Sequence, residues 1–147
     1  MPTRHRLVTD SLTSRKMRGV RREGTAPELA VRKIVSGLGS RYRVRNKNLP
    51  GSPDLANRRR RWAIFVHGCF WHRHEGCPKA TTPKRNKSFW RAKFVRNRQR
   101  DRLVVKRLER NGFRTLTIWE CQLADEKQVA RLLRKFFAGR KRASGLG

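Results

Sequence analysis

The chain has 147 residues, and 39 Lys and Arg against 10 Asp and Glu leave a formal charge of +29. A charge this large exceeds what solubility requires and disfavours a compact fold unless a polyanion neutralises it, so nucleic acid is the expected partner. Four Trp and seven Phe among spaced apolar runs argue for one packed core rather than a disordered basic tail. No apolar run reaches the roughly 20 residues of a membrane helix, and the Arg-containing start lacks the apolar centre of a secretory signal, so an intracellular protein with no membrane partner is expected.

Residues 1–13 lack a periodic apolar pattern and read as a basic arm, 14–138 as a single domain, and 139–147 as a basic tail. Around Ser14-Arg15-Lys16-Met17-Arg18 a short basic turn or helix is expected. Thr25-Ala26-Pro27-Glu28 is a capping-box pattern with Pro in the first turn. It predicts a helix with an apolar stripe of Leu29, Ile34, Val35 and Leu38, ended by Gly37 and Gly39. Alternation through Arg41-Tyr42-Arg43-Val44-Arg45 predicts a strand, and Leu49-Pro50-Gly51-Ser52-Pro53 a turn. Asp54-Leu55-Ala56 then opens a second strand, and the apolar run over 62–66 predicts a central one. Residues 68–83 mix Cys, His, Gly and Pro and read as a loop that metal ligation would order. A long helix over 88–110 closes at Asn111-Gly112, a strand follows over 113–119, and an amphipathic helix over 125–137. The order αβββαβα predicts an α/β fold, a mixed sheet sandwiched by helices.

Three Cys cannot all pair within one chain, and Cys clustered with His in a reducing compartment points to metal. Cys69, His74 and Cys77 lie close in sequence, and Cys121 sits far downstream at the end of a predicted strand. Four soft or borderline ligands suit a closed tetrahedral zinc site that staples the loop to that strand. The same spacing also fits separate buried thiols and a surface histidine.

Asp54, a turn acid opening a strand, precedes a central strand that ends near His67. That order matches nucleases in which an acid holds a cation beside the scissile phosphate, although Asp after Pro is also a common turn former. Phe94, Asp101 and Leu108 are seven apart, which puts a carboxylate on the apolar stripe of the long helix, where it needs a partner. His72 and His67 are available, since a carboxylate can fix a histidine tautomer for general acid–base work; an ion pair with one of the many Arg is the alternative. Glu28 reads first as the capping acid of its own helix. Phe70 and Trp71 in the loop, and Trp90 amid Lys87, Arg91 and Lys93, suit either wedging between base pairs or core packing.

Taken together, Leu49-Pro50-Gly51-Ser52-Pro53-Asp54, Phe65-Val66-His67-Gly68-Cys69-Phe70-Trp71-His72, Phe89-Trp90, Arg100-Asp101-Arg102 and Ile118-Trp119-Glu120-Cys121 resemble the very short patch repair (Vsr) endonucleases. The resemblance runs from about Thr13 to Phe137. It implies a three-layer restriction-endonuclease-like fold with a structural zinc site, and magnesium-dependent nicking 5′ to the mispaired T of a T:G mismatch left by deamination of 5-methylcytosine. It implies Asp54 and the main-chain carbonyl of Val66 as magnesium ligands, and Glu28 assisting at the metal or its waters. His72 is then the general base or acid, Asp101 its orienting partner, and His67 a second group near the phosphate. Cys69, His74, Cys77 and Cys121 are implied as zinc ligands, and Met17, Phe70, Trp71 and Trp90 as intercalating residues. A monomer acting on double-stranded DNA in the cytoplasm follows, with mismatch-repair proteins as candidate partners. The stretch His72-Arg73-His74-Glu75-Gly76-Cys77 departs from the family in its thinner histidine content and one extra residue before Cys77. Two other functions fit the charge: a restriction-type or mobile-element nuclease of the same fold without mismatch specificity, and a non-catalytic, zinc-stabilised DNA-binding protein.

Overall fold

The structure, a computed structural model, describes residues 24–139. The expected basic arm, the basic turn at 14–18 with Met17, and the tail beyond Gly139 lie outside these residues. Helix α1 (Ala26–Gly37) starts at Thr25, whose hydroxyl accepts from the Glu28 amide. The Glu28 carboxylate reaches back to the Gly24 amide at 2.9 Å, one residue before the cap, so the box closes one position early. The buried face of α1 is Glu28, Val31 and Val35, whereas Leu29 is 51% exposed. The predicted stripe was therefore out of phase at its start: counting back four and seven from Val35 reaches Val31 and Glu28, and that phase turns an acid inward.

A three-stranded mixed sheet follows, in the order β1 (Leu55–Asn57), β2 (Trp62–His67), β3 (Arg114–Trp119). β1 pairs antiparallel with β2, Leu55 opposite Ile64, and β2 pairs parallel with β3, Val66 opposite Ile118. The strand expected over 41–45 is reduced to a single bridge between Arg43 and Ala56. Arg45 adopts a left-handed φ of 57°, and the Asn46 amide donates to the carbonyls of Arg43 at 2.8 Å and Pro53 at 3.0 Å. That turn takes the chain away before a second rung can form.

Between β2 and β3 lies the long helix α2 (Lys87–Arg110), and after β3 a 3₁₀ turn (Glu120–Ala124) leads to α3 (Glu126–Ala138), capped by Asp125. Alternate residues of β2 feed two cores. Trp62 and Ile64 pack with Val31, Val35, Leu55, Ile118, Val129 and Leu133, under α1 and α3. Ala63 and Phe65 pack with Ala56, Leu108 and Phe113, under α2. Helices thus flank the mixed sheet on both sides, which is why residues 62–65 of β2 are all buried. Among the described residues no helix is long and apolar enough to cross a membrane.

The turn before β1 fits against α2 through Gly51, at φ +69°, where an added Cβ would lie 2.4 Å from Val104 Cγ1. Gly51→Ala is expected to lower stability by about 2–4 kcal/mol, from strain in the left-handed region plus overpacking. Thermal melting checks this, and an unchanged midpoint would show that the turn is not held against the helix.

Candidate active site and metal centre

Because β2 and β3 run parallel and β1 antiparallel, the ends of β2 and β3 and the start of β1 meet at one edge of the sheet. A cavity of about 610 Å³ opens there, lined by Glu28, Asp54, Val66, His67, His72 and Asp101 among others. Asp54 stands just before β1, and its Oδ2 accepts from the Val66 amide at 2.6 Å. In a strand the amide and carbonyl of one residue point the same way, so the Val66 carbonyl faces the Asp54 side as well. Burial pushes the Asp54 carboxyl up to about 6; the Val66 hydrogen bond offsets part of this, and the negative charge of Glu28 adds to it. Glu28, whose carboxylate also accepts from the Gly24 amide and lies 3.5 Å from Arg32, shares this cleft with Asp54, and oxygen donors gathered in a part-buried cleft suit a hard divalent cation.

Across the cavity, His72 Nδ1 lies 2.7 Å from Asp101 Oδ2, both groups about a quarter exposed. The seven-residue stripe of α2 brings Asp101 to this point, with Phe94 and Leu108 buried on the same face. His67 stacks on His72 with ring centroids 3.7 Å apart and planes 7° off parallel. Burial, followed by the neighbouring His72 charge, pulls the His67 imidazole down to about 4, so it is neutral at physiological pH. Ligand atoms of His67, His72 and Asp101 come within 4.8 Å of one another.

Ligand atoms of Cys69, His74, Cys77 and Cys121 also lie within 4.8 Å of one another. His74 Nδ1 is 3.3 Å from Cys121 Sγ and 3.7 Å from Cys69 Sγ, close to the edges of a tetrahedron built on metal bonds of about 2.0–2.3 Å. Burial pushes the Cys69 thiol up to about 12. Cys77 is lowered, first by the Lys79 amide. Gly76, just before Cys77, takes a φ of +72°, an added Cβ there would meet nothing within 4 Å, and the four side chains converge. His74 is held flat against Trp119 at 4.3 Å. The set can hold a thiophilic metal ion.

Phe70 and Trp71 are half-buried, with centroids 4.9 Å apart, whereas Trp90 is only 4% exposed and lies 5.8 Å from Trp71 and 5.9 Å from Phe94. Trp90 therefore backs the other two, and it could enter a base stack only by leaving this packing. Two contributors went unread in the sequence. Asn97, one turn before Asp101, donates from Nδ2 to the Trp71 carbonyl at 3.1 Å, and Glu120 Oε1 accepts from the Cys69 amide at 3.1 Å. The signal for Asn97 was available, as an amide on the same apolar face of α2 as Phe94 and Asp101.

The family model described as DNA mismatch endonuclease Vsr matches residues 7–79. Type II nicking enzyme V.XorIIP of Xanthomonas oryzae pv. oryzae is 40% identical over 122 residues, 80% of this chain and 89% of that protein. The chain belongs to the Vsr family. DNA mismatch endonuclease Vsr of Escherichia coli is 37% identical over 123 residues, 83% of this chain and 78% of its own. Type II nicking enzyme V.NmeAIP of Neisseria meningitidis is 35% identical over 136 residues, 87% and 96% respectively. As a Vsr-family protein the chain is a DNA endonuclease, a hydrolase. The family match spans Glu28, Asp54, Val66, His67, His72 and the loop ligands, while Asp101 and Cys121 come from chain beyond residue 79.

Proposed function

We propose that this endonuclease nicks one strand of duplex DNA 5′ to the mispaired T of a T:G mismatch, by magnesium-dependent phosphodiester hydrolysis, in the repair of deaminated 5-methylcytosine. The observation that carries this reading is the His72–Asp101 pair standing in the same cleft as Asp54 and Glu28. Asp54 and the Val66 carbonyl would hold the magnesium ion, with Glu28 beside it, because oxygen donors suit a hard cation. When bound, such an ion polarises a phosphoryl oxygen and acidifies water. His72 moves the proton at the scissile phosphate through Nε2, since its Nδ1 is engaged by Asp101. Asp101 keeps that tautomer and orientation. His67, neutral through burial, offers a hydrogen bond near the phosphate without adding charge.

In the same reading Phe70 and Trp71 wedge into the base stack at the mismatch, backed by Trp90 and joined by Met17 from the N-terminal segment. The fold is of the three-layer restriction-endonuclease type, with residues 14–138 as the nuclease domain, 1–13 as a basic N-terminal arm that touches DNA and 139–147 as a basic C-terminal tail. The protein acts as a cytoplasmic monomer on double-stranded DNA, with mismatch-repair proteins as further partners. Cys69, His74, Cys77 and Cys121 hold a structural zinc ion, a closed donor set that ties the loop to the end of β3. Cys121→Ser is expected to lose the zinc and several kcal/mol of stability, on the order of 10 °C in Tm. Metal content and melting read this together, and full zinc occupancy in the variant would sink the assignment.

A second reading is a restriction-type or mobile-element nuclease of the same fold without mismatch specificity; the relatives from Xanthomonas oryzae and Neisseria meningitidis are named type II nicking enzymes rather than mismatch endonucleases, which keeps it in view. Strand-labelled duplexes containing T:G, T:A or C:G, incubated with the protein and magnesium or EDTA, separate the two. A magnesium-dependent nick confined to the thymine strand of the mismatch supports repair. Equal cutting of matched duplexes supports the second reading, and tight binding with no nick overturns both.

A further inference from the structure

At the opposite end of the sheet from the active-site cleft, where β2 and β3 begin, a second cavity of about 810 Å³ is lined by Arg41, Arg59, Arg60 and Arg114, with Trp62 and Phe137 behind them. Its wall contains no carboxylate among the described residues. Among the described residues, the side chains of Arg41, Arg59 and Arg60 have no hydrogen bond or ion pair. Arg114 is held in place by its donor contact to the Phe136 carbonyl and by its position over the Phe136 ring, 4.6 Å from the centroid. Partial burial pulls its pKa below the ordinary arginine value. The cavity has two backbone ties: Asn57 Nδ2 donates to the Arg41 carbonyl at 3.1 Å, and the Arg60 amide donates to Asn57 Oδ1 at 2.9 Å. Guanidinium groups gathered in a concavity without a counter-charge repel one another, and an anion that fills it relieves that repulsion.

We propose that this cavity is a second, non-catalytic nucleic-acid site that takes the backbone phosphates of a DNA segment other than the one being cut. Six residues of β2 separate the two ends of the sheet, about 17 Å at strand rise, so the cavity is well apart from the cleft. Planar guanidinium forks match phosphate oxygens, and the volume admits several consecutive backbone groups rather than a lone phosphate. An acidic peptide is the poorer fit. Trp62 is 2% exposed and Phe137 is only partly exposed, so charge rather than a large apolar anchor dominates what the cavity presents. Two sites on one molecule let the enzyme bridge duplexes or hold a distant stretch of the same one.

The test uses the full chain. A short biotinylated duplex on beads captures the protein, and a second, fluorescent duplex measures bridging; nicking of the short duplex is followed in parallel. Arg59→Ala with Arg60→Ala is expected to reduce capture of the second duplex by about tenfold at physiological salt and to flatten its salt dependence by roughly two phosphate contacts. Nicking and melting temperature stay at wild-type values. Arg59→Lys with Arg60→Lys, which keeps the charge but not the planar fork, retains part of the capture, well above the alanine pair. Wild-type capture by the alanine pair overturns the proposal. So does a parallel fall in nicking, which would put these arginines on the duplex being cut, and so does displacement of the second duplex by millimolar inorganic phosphate or by polyglutamate at lower concentration than by unlabelled DNA. Absence of nicking by wild-type protein with bridging intact would instead overturn the reading of the cleft and leave this one standing.

Discussion

Asp54→Ala is expected to slow nicking by on the order of 10³-fold or more, while affinity for the duplex changes by less than about threefold. The carboxylate lines the cleft together with Glu28 and is hydrogen-bonded to the Val66 amide; in the proposed reading it would supply negative charge to a cation rather than a contact to DNA. Its folded pKa of about 6 is raised above the ordinary 3.8, so the folded state binds this proton more tightly than the unfolded chain does. The resulting stabilisation is fully present below pH 3.8 and is lost as pH rises through about 6. Without added divalent cation, Asp54→Asn should therefore raise the melting temperature at pH 8 and leave it nearly unchanged at pH 4. The gain is at most about 3 kcal/mol, since a two-unit shift corresponds to roughly that much. In the wild type at limiting magnesium, nicking should fall as pH drops through about 6 and recover with more metal, because cation and proton compete for one carboxylate. Undiminished nicking by Asp54→Ala would remove Asp54 from the metal site, and a melting difference that persists unchanged at pH 4 would show that its proton is not the one the fold holds.

The His72–Asp101 pair carries the second large effect. His72→Ala is expected to reduce the single-turnover rate by about 10²–10⁴-fold, the usual contribution of a positioned acid or base. Asp101→Asn replaces a carboxylate 2.7 Å from Nδ1 with an amide that no longer favours the same tautomer, and it should cost about 10²-fold in kcat with KM little changed. Asp101→Glu, which can still accept from Nδ1, should recover part of the rate, and the double variant should be no slower than His72→Ala alone. An additive double variant, or equal losses in Asn and Glu, would show that Asp101 supports the fold rather than the histidine.

Much of this protein is legible one segment at a time. The Thr25 cap, the apolar run of β2 and the seven-residue stripe of α2 follow from local periodicity and capping chemistry, and each forms close to where the sequence puts it. The pairing of Asp101 with a histidine was also foreseeable, since a carboxylate on an apolar stripe must find a partner. The phase of α1 was not: Leu29 and Val31 are equally apolar, and only packing against β2 and α3 turns Val31 and Glu28 inward. Nor was the fate of 41–45, whose alternation suits a strand but whose ladder stops at Arg43 because Asn46 and the left-handed Arg45 redirect the chain.

By itself, then, the sequence determined the partner, through a charge of +29, the α/β order of elements, and the residue types from which a nuclease cleft and a Cys/His cluster could be made. Only the tertiary structure decided that Glu28 and Asp54 line one cleft, that His67 lies flat on His72, that Trp90 is buried behind Trp71, and that Arg41 and Arg114 meet the arginine run of the β1–β2 turn in one cavity. The reason is physical: periodicity acts over one or two turns of chain, whereas distances between remote side chains are set by which faces pack together, and many packings share one local pattern.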